Sequence, residues 1–326
     1  MNPFKMSKKE ADSPLVAIIV LNYNNLSDTE ECVRSVEQIA YPNYRLIVVD
    51  NAGDQDNGET LEAAYAQKHI VLRNEKNLGY AGGNNVGIRY ALNELHAPYV
   101  LILNNDTIVT SSFLEAMVKS AQKNPSVGMV AAKILQYPKE KNQIDSIGLK
   151  LTRSGLPYKR TSENDPLFCP SGACALYTAQ MLRDAEQNGE FFDEDFFLYG
   201  EDIDLGFRGV LFGYDCVFAQ NAIIYHKGSA TTKERSPLSI YYGHRNTPLM
   251  IVKDFPLPLF LRYGLSILFY QIITPLYYLF IDPRNIRTVV RAKFDAVKSL
   301  PQMLSKRKYI QKKKTILAEK IKKILQ

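Results

Sequence analysis

Four apolar runs in this chain end abruptly in side chains that carry oxygen or imidazole. Tyr99-Val-Leu-Ile-Leu103 gives way to Asn104, Asn105 and Asp106; Leu15–Leu21 to Asn22-Tyr23-Asn24-Asn25; Leu46–Val49 to Asp50-Asn51-Ala52-Gly53; and Val217–Tyr225 to His226. Short uninterrupted apolar runs read as strands buried on both faces, and in open α/β sheets ligands sit beyond the carboxyl ends of such strands. A carboxylate flanked by amide oxygens, as at Asp106, suits a hard divalent cation such as Mg²⁺ or Mn²⁺ that also holds substrate phosphates. The plainer reading is an Asn/Asp turn after a strand. Asp50 could accept a hydrogen bond from the imide N–H of uracil or thymine, or cap the turn at Asn51–Gly53. His226 could ligate a metal or be structural.

Two further stretches are chemically pointed. Gly200-Glu201-Asp202-Ile203-Asp204 sets acids at a helix N-terminus, where the helix dipole stabilises carboxylates. Asp202 could point back into a site as a general base. Asp204 and Arg208 are spaced i,i+4 and are expected to form a surface pair. Asn77-Leu78-Gly79-Tyr80-Ala81-Gly82-Gly83-Asn84-Asn85 has glycines that allow close approach of the backbone to a ligand or a neighbouring strand. It is not GxGxxG, and no such motif follows the first strand, which disfavours a nicotinamide dinucleotide site.

The elements that would position these groups alternate. Ser27-Asp28-Thr29-Glu30 reads as a capping box opening a helix to about Gln38. The strand Leu46–Val49 is followed by a helix from about Gly58 to Gln67, a short strand Ile70–Arg73, and a helix running from the glycine stretch to about Leu95. After the strand that ends near Asp106 come a helix, Ser111–Gln122, and a strand, Val127–Leu135. Strand and helix in alternation with short polar links predict right-handed βαβ units and a mostly parallel sheet with helices on both faces. The second half is less regular. Ile144–Thr152 reads as a hairpin strand, Ser171–Tyr177 as a tight loop and strand, Thr178 as a helix cap, and Glu201 to about Phe212 as a helix.

At 326 residues and 46% hydrophobic, the chain has room for one large domain and an appendage. Cys32, Cys169, Cys174 and Cys216 form no CxxC pair, so a zinc site is disfavoured and buried small hydrophobes in a reducing compartment are expected. Met1–Ser13 is polar, with three lysines and no apolar core, and is not expected to be a secretory signal. Net charge is +6, but residues 283–326 hold fourteen Lys/Arg against Asp295 and Glu319, a net of +12 over a body of −6. Such a tail suits an anionic membrane surface or nucleic acid. Its basic residues interleave with apolar ones at helical spacing, which argues against nucleic acid.

Taken in order, VAIIVLNYNN (16–25), LIVVDNAG (46–53), NLGYAGGNN (77–85), ILNNDT (102–107), FLYGEDIDLGFR (197–208), YHKGSAT (225–231) and YGHRN (242–246) resemble glycosyltransferase family 2, inverting enzymes with the GT-A fold. The resemblance covers about residues 14 to 250 and is most similar to bacterial rhamnosyltransferases of O-antigen, capsule and cell-wall assembly. It implies that Asp50 binds the nucleotide base and that Asp106, last position of the family's DxD motif, meets Mg²⁺ or Mn²⁺ on the diphosphate. It also implies Asp202, second acid of "ED", as the base for the acceptor hydroxyl and His226 as a further metal ligand. Asn22, Asn24, Asn77, Gly79, Gly82, Asn104, Asn105 and Glu201 would line the donor site. The first DxD position here is Asn104, which removes one negative charge. Arg245 could add positive charge near the diphosphate or pack against an aromatic face.

Residues 263–281, YGLSILFYQIITPLYYLFI, run nineteen long without a charge. As a helix they would reach roughly 28 Å, about the hydrocarbon thickness. Gln271, Thr274, Pro275 and four tyrosines make a poor span, and a span would put the basic tail outside, against the positive-inside rule. An in-plane or re-entrant segment with the tail on anionic headgroups is expected; the alternatives are a buried helical subdomain or a homo-oligomer interface. The division is thus a tail over 1–13, a catalytic GT-A domain over 14–250 and a helical membrane-associating region over 251–326. The expected activity is transfer of rhamnose from dTDP-rhamnose to a glycan or polyprenyl-linked acceptor at the cytoplasmic face, with a UDP-hexose or UDP-galactofuranose donor as the alternative. A nucleotidyltransferase is disfavoured because Asn22–Asn25 is neither glycine-rich nor basic. A catalytically dead sugar-nucleotide binder or scaffold is disfavoured because Asp106, Asp202 and His226 are all present.

Overall fold

Alternate residues of the first strand, β1 (Val16–Asn22), enter two different cores: Ala17 and Ile19 on one face of a sheet, Val16, Ile18 and Val20 on the other. The computed structural model describes residues 13–53, 58–228, 236–316 and 318–326. In it β2 (Tyr44–Asp50) and β4 (Tyr99–Asn104) split in the same way, which is why their sequences are continuously apolar. With β3 (Ile70–Arg73) they form a parallel set in the order β3-β2-β1-β4. Its register sets Asn22 beside Asp50 and Leu21 beside Asn104. The polar ends of three separate runs therefore meet at one edge.

The crossovers are α1 (Leu26–Val36), α2 (Gly58–Tyr65) and α3 (Gly79–Asn93). The N-cap of α1 is Asn25, not Ser27: its Oδ1 accepts the Asp28 N–H at 3.4 Å, and Ser27 Oγ donates to that same oxygen. The chain turns into the helix as soon as β1 ends. The glycine stretch is the opening of α3, not a loop before it. A Cβ at Gly83 would lie 2.6 Å from Leu21 and one at Gly87 2.7 Å from Ile19, so small residues let the helix lie directly on β1.

Beyond β4 the expected mostly parallel sheet becomes mixed. β10 (Cys174–Thr178) runs antiparallel between β4 and β6 (Val127–Gln136), β11 (Asp215–His226) runs parallel to β6, and β5 (Thr107–Val109) pairs antiparallel with β11. No α-helix lies between β6 and β10 among the described residues, so the crossover that a parallel neighbour needs is missing. The expected hairpin strand divides into β7 (Ile144–Ser146), paired with β6, and β8 (Leu149–Leu151), paired with β9 (Pro157–Lys159). One face of the sheet carries α1 and α4 (Phe113–Ala121). The other carries α3, α5 (Ala179–Ala185) and α6 (Glu201–Leu211).

Four more helices follow: α7 (Pro237–Asp254), α8 (Leu257–Phe280), α9 (Ile286–Lys313) and α10 (Ala318–Ile324). They share the α3–α6 core, to which they contribute Leu249, Leu259, Ala296, Met303, Ile310 and Ile321. Asp204 and Arg208 are not a surface pair. Both are fully buried, with Arg208 Nη2 2.7 Å from Asp204 Oδ2. The reason is that Lys253 of α7 packs on Asp204 and Asp193, while Arg208 also donates to the Ala185 and Phe191 carbonyls. Cys32, Cys169 and Cys174 are buried and all four thiols are free. Residues 1–12, which hold nearly all of the polar N-terminal tail, and 229–231 of the YHKGSAT motif lie outside the described residues.

Candidate active site

The strand ends are tied together by one chain of hydrogen bonds. Asn22 Nδ2 donates to Asp50 Oδ1 at 3.0 Å, and Asn22 Oδ1 accepts from Thr29 Oγ1 at 2.8 Å. Thr29 Oγ1 in turn accepts from Asn105 Nδ2 at 2.9 Å. Asp50, Asn22 and Thr29 are buried, so the chain fixes one Asp50 oxygen and the orientation of the loop after β4. That loop is held from the other side by the Asn104 N–H, which donates to the Ala173 carbonyl at 3.0 Å.

At the far end of β11, His226 lies between two carboxylates. Its Nε2 is 3.2 Å from Asp106 Oδ1 and its Nδ1 3.3 Å from Asp145 Oδ2, and Lys159 Nζ holds the other Asp145 oxygen at 2.6 Å. The juxtaposition follows from pairing: β11 sets His226 opposite Thr107 of β5, while β6 bonds both β11 and β7. Burial works to lower the His226 pKa, but hydrogen bonds and charge from Asp106 and Asp145 outweigh it and raise the imidazole to about 9. Asp145 is correspondingly held down at about 2, its burial outweighed by His226 and Lys159.

Asp106 Oδ1 is buried with no well-aligned donor. Asp106 and His226 set an oxygen and a nitrogen donor side by side, a donor set that would fit a divalent cation such as Mg²⁺ or Mn²⁺. Among the described residues no group of three or more His, Cys, Asp or Glu side chains is placed to hold a metal ion by itself.

Across the edge, Asp202 opens α6. Its Oδ2 accepts the Gly172 N–H at 3.1 Å and its Oδ1 the Ile203 N–H at 2.8 Å. The Gly172 carbonyl takes the Tyr80 hydroxyl at 2.7 Å, tying this loop to α3. Burial raises the pKa of both Glu201 and Asp202, and the charge of Asp202 pushes Glu201 further. Backbone N–H groups offset more of the penalty at Asp202, so Glu201 is pushed further above the ordinary carboxylate range than its neighbour. Environment thus sets the two adjacent acids apart.

The other residues singled out in the sequence divide by environment. Asn24 sits at positive φ against Gly53, joining the loops after β1 and β2. Asn77 Oδ1 accepts from Asn51 Nδ2 and from the Gly79 N–H. Gly79, at φ +73°, faces Phe197, and Gly82 faces Leu78; a Cβ on either would strike protein. Arg245 donates to the Asp195 carbonyl at 2.7 Å and to Asn246.

Three contributors escaped the sequence reading. Asn51, buried, bonds Asn74, Asn77, Leu78 and Gly79. Asp145 orients His226. Asn246 Nδ2 lies 2.7–2.9 Å from the Phe196, Leu198 and Tyr199 carbonyls and shapes the approach to Glu201. Asn51 and Asn246 lay inside quoted motifs, where an amide among polar neighbours was a usable signal; Asp145 carried none.

Comparison with known proteins bears on the family and the fold. The chain is 26% identical over 202 residues to the low-salt glycan biosynthesis hexosyltransferase Agl10 of Haloferax volcanii, covering 59% of this chain and 61% of that protein. It is 27% identical over 252 residues to the O-antigen biosynthesis protein RfbC of Myxococcus xanthus, covering 71% of this chain and 19% of that one. The match thus spans less than two thirds of each relative's length. In fold it is similar to the mannosyltransferase PcManGT of Pyrobaculum calidifontis, solved with GDP-Man and Mn²⁺, at a TM-score of 0.53 and 17% identity over 94% of this chain and 88% of that one. The architecture is that of the GT-A fold. The family model for glycosyl transferase family 2 matches residues 17–185, just over half of the sequence, and the chain belongs to that family.

Proposed function

We propose that the protein is a metal-dependent, inverting hexosyltransferase that moves a sugar, rhamnose from dTDP-rhamnose, onto a glycan or polyprenyl-linked acceptor at the cytoplasmic face of the membrane during cell-surface polysaccharide synthesis. The observation that carries the reading is the pairing, across one sheet edge, of a buried, poorly satisfied Asp106 oxygen beside His226 with a backbone-held Asp202. In this reading Asp50 accepts the imide N–H of the base, held in place by Asn22. Asp106 and His226 would hold a divalent cation, which when bound supplies positive charge to the diphosphate leaving group. Asp202 takes the proton of the acceptor hydroxyl as its oxygen forms the bond to the anomeric carbon and the bond to the nucleoside diphosphate breaks. One displacement on the face opposite the leaving group inverts the anomeric centre. Burial and the charge of Asp202 favour the protonated form of Glu201, which leaves Asp202 as the base in this reading.

Thymine and uracil share the imide N–H, so a UDP-hexose or UDP-galactofuranose is the competing donor. Thermal shift with dTDP, UDP and GDP and their sugar conjugates, with and without Mn²⁺, tests the proposal, because a ligand that binds only the folded state raises its stability by mass action. The largest Mn²⁺-dependent shift is expected with dTDP-rhamnose. No shift with any nucleotide would overturn the reading, and a larger shift with a UDP-sugar would replace the donor.

A further inference from the structure

Helix α8 is unusually bare for a helix of a folded body. Only Leu259, Ile267 and Thr274 along its length are buried, a single narrow stripe. Its opposite face carries large apolar side chains at helical spacing, with Leu261 74%, Leu265 85% and Phe269 66% exposed. A single 3₁₀ turn, Pro283–Asn285, leads into α9. That helix turns Val289, Ala292, Ala296 and Met303 inward and leaves Val290, Phe294 and Val297 outward. Basic side chains stand among these apolar ones: Arg284 is 93% and Arg291 77% exposed, with Arg287 and Lys298 also at the surface. From residue 255 to 318 the acids are Asp282 and Asp295, both already in ion pairs with neighbouring arginines.

We infer that the outer faces of α8 and α9 form one docking surface for an anionic lipid bilayer, with α8 lying along the interface and not through it. A second copy of the chain is the other occupant an apolar face invites. In a two-fold contact, however, it would set this basic rim against itself, whereas an anionic leaflet complements it. A span is opposed by the stripe at Leu259 and Ile267, which holds α8 to the body core. Apolar side chains in the acyl boundary with a basic fringe in the headgroups make the two-signal attachment that stable peripheral binding requires.

The surface is rigidly joined to the catalytic edge. Tyr241 of α7 donates to Asp295 of α9 at 2.7 Å, and Lys306 of α9 pairs with Asp193 and Asp195. Asn246 of α7 holds the backbone just before Glu201 and Asp202. A bilayer on α8 and α9 would therefore keep a fixed relation to Asp202, which selects a lipid-anchored acceptor. This last step, unlike the docking itself, rests on the transferase reading above.

Co-sedimentation of the full chain with vesicles of phosphatidylcholine, alone or with an equimolar share of phosphatidylglycerol, tests the surface without any substrate. Binding is expected to be much stronger to the anionic vesicles and should fall, as salt rises, toward the weak level that phosphatidylcholine alone supports, since screening leaves only the apolar part. Arg284→Ala and Arg287→Ala should each weaken partitioning about fivefold. Leu265→Glu with Phe269→Glu should abolish it while thermal stability and nucleotide affinity stay unchanged, because both side chains are exposed. Equal binding to zwitterionic vesicles, or binding indifferent to the glutamates, would overturn the inference. So would a concentration-dependent dimer that the glutamates dissolve, which would make the occupant a second copy. Nucleotide affinity read in parallel separates the two ideas: donor binding without vesicle binding sinks only this surface, and the converse sinks only the transferase reading.

Discussion

Asp202 and Glu201 are adjacent in sequence and both raised by burial, but Glu201 further, because Asp202 receives the Gly172 and Ile203 N–H groups. Asp202→Asn is therefore expected to lower kcat roughly 10² to 10⁴-fold with donor affinity retained, whereas Glu201→Gln should retain most turnover. The reverse result in steady-state kinetics would move the base to Glu201. Since burial raises Asp202 above the ordinary carboxylate value, the acidic limb of the pH–rate profile should also sit above that value. At the other end of the site, His226 must lose a proton to bind a metal. With its pKa near 9 in the metal-free protein, Mn²⁺ affinity should rise about tenfold per pH unit up to that value, as calorimetry on nucleotide-free protein would read. The same shift sets a stability slope. A histidine raised from its ordinary value contributes stability fully present below about 6.5 and lost as pH climbs through about 9. Asp145→Ala should flatten that slope and weaken Mn²⁺ about 10 to 100-fold, as loss of an orienting carboxylate does.

Helix α7 is the element that joins base and body. Lys253 is fully buried between Asp193 and Asp204, and Arg208 completes the cluster by taking Asp204 and two carbonyls. Asp254, buried beside Asp204, is pushed well above the ordinary carboxylate range by burial and by that neighbour, which favours its neutral form. The charges thus balance, which is what makes so dense a buried cluster tolerable. Lys253→Met should destabilise the protein by about 3–5 kcal/mol in chemical denaturation, because it removes a buried cation and leaves the cluster with an uncompensated negative charge. Asn246→Ala is gentler. It frees the carbonyls of Phe196, Leu198 and Tyr199 and should lower kcat more than it raises KM for the donor, since α3 and the strand edge are untouched. The helical spacing of Asp204 and Arg208 was legible in the sequence. That they lie inside was not, because their cover comes from residues some fifty positions away in the chain.

At the scale of the molecule, the helices after residue 250 belong to the body. Ala296, Met303, Ile310, Ile321 and Leu325 enter the same core as Ile19 and Ile102, and Arg307 donates to the Val252 and Phe255 carbonyls. A chain ended after residue 254 should therefore lose several degrees or more of melting temperature or fail to stay soluble, as scanning calorimetry or yield in the soluble fraction would report. The strand cores, the polar caps at Asn22, Asp50, Asp106 and His226, and the parallel first half were readable from the sequence. Each depends on residues close in the chain and on a periodicity of apolar side chains that local sequence records. The antiparallel insertion of β10, the meeting of His226 with Asp106 and Asp145, and the burial of Asp204 and Lys253 were decided only in three dimensions. Each joins segments tens to more than a hundred residues apart, where no local pattern constrains the partner. Strand register and helix packing supply that information: the sequence alone determined which edge of the sheet is polar, and the tertiary structure decided which of its polar groups touch.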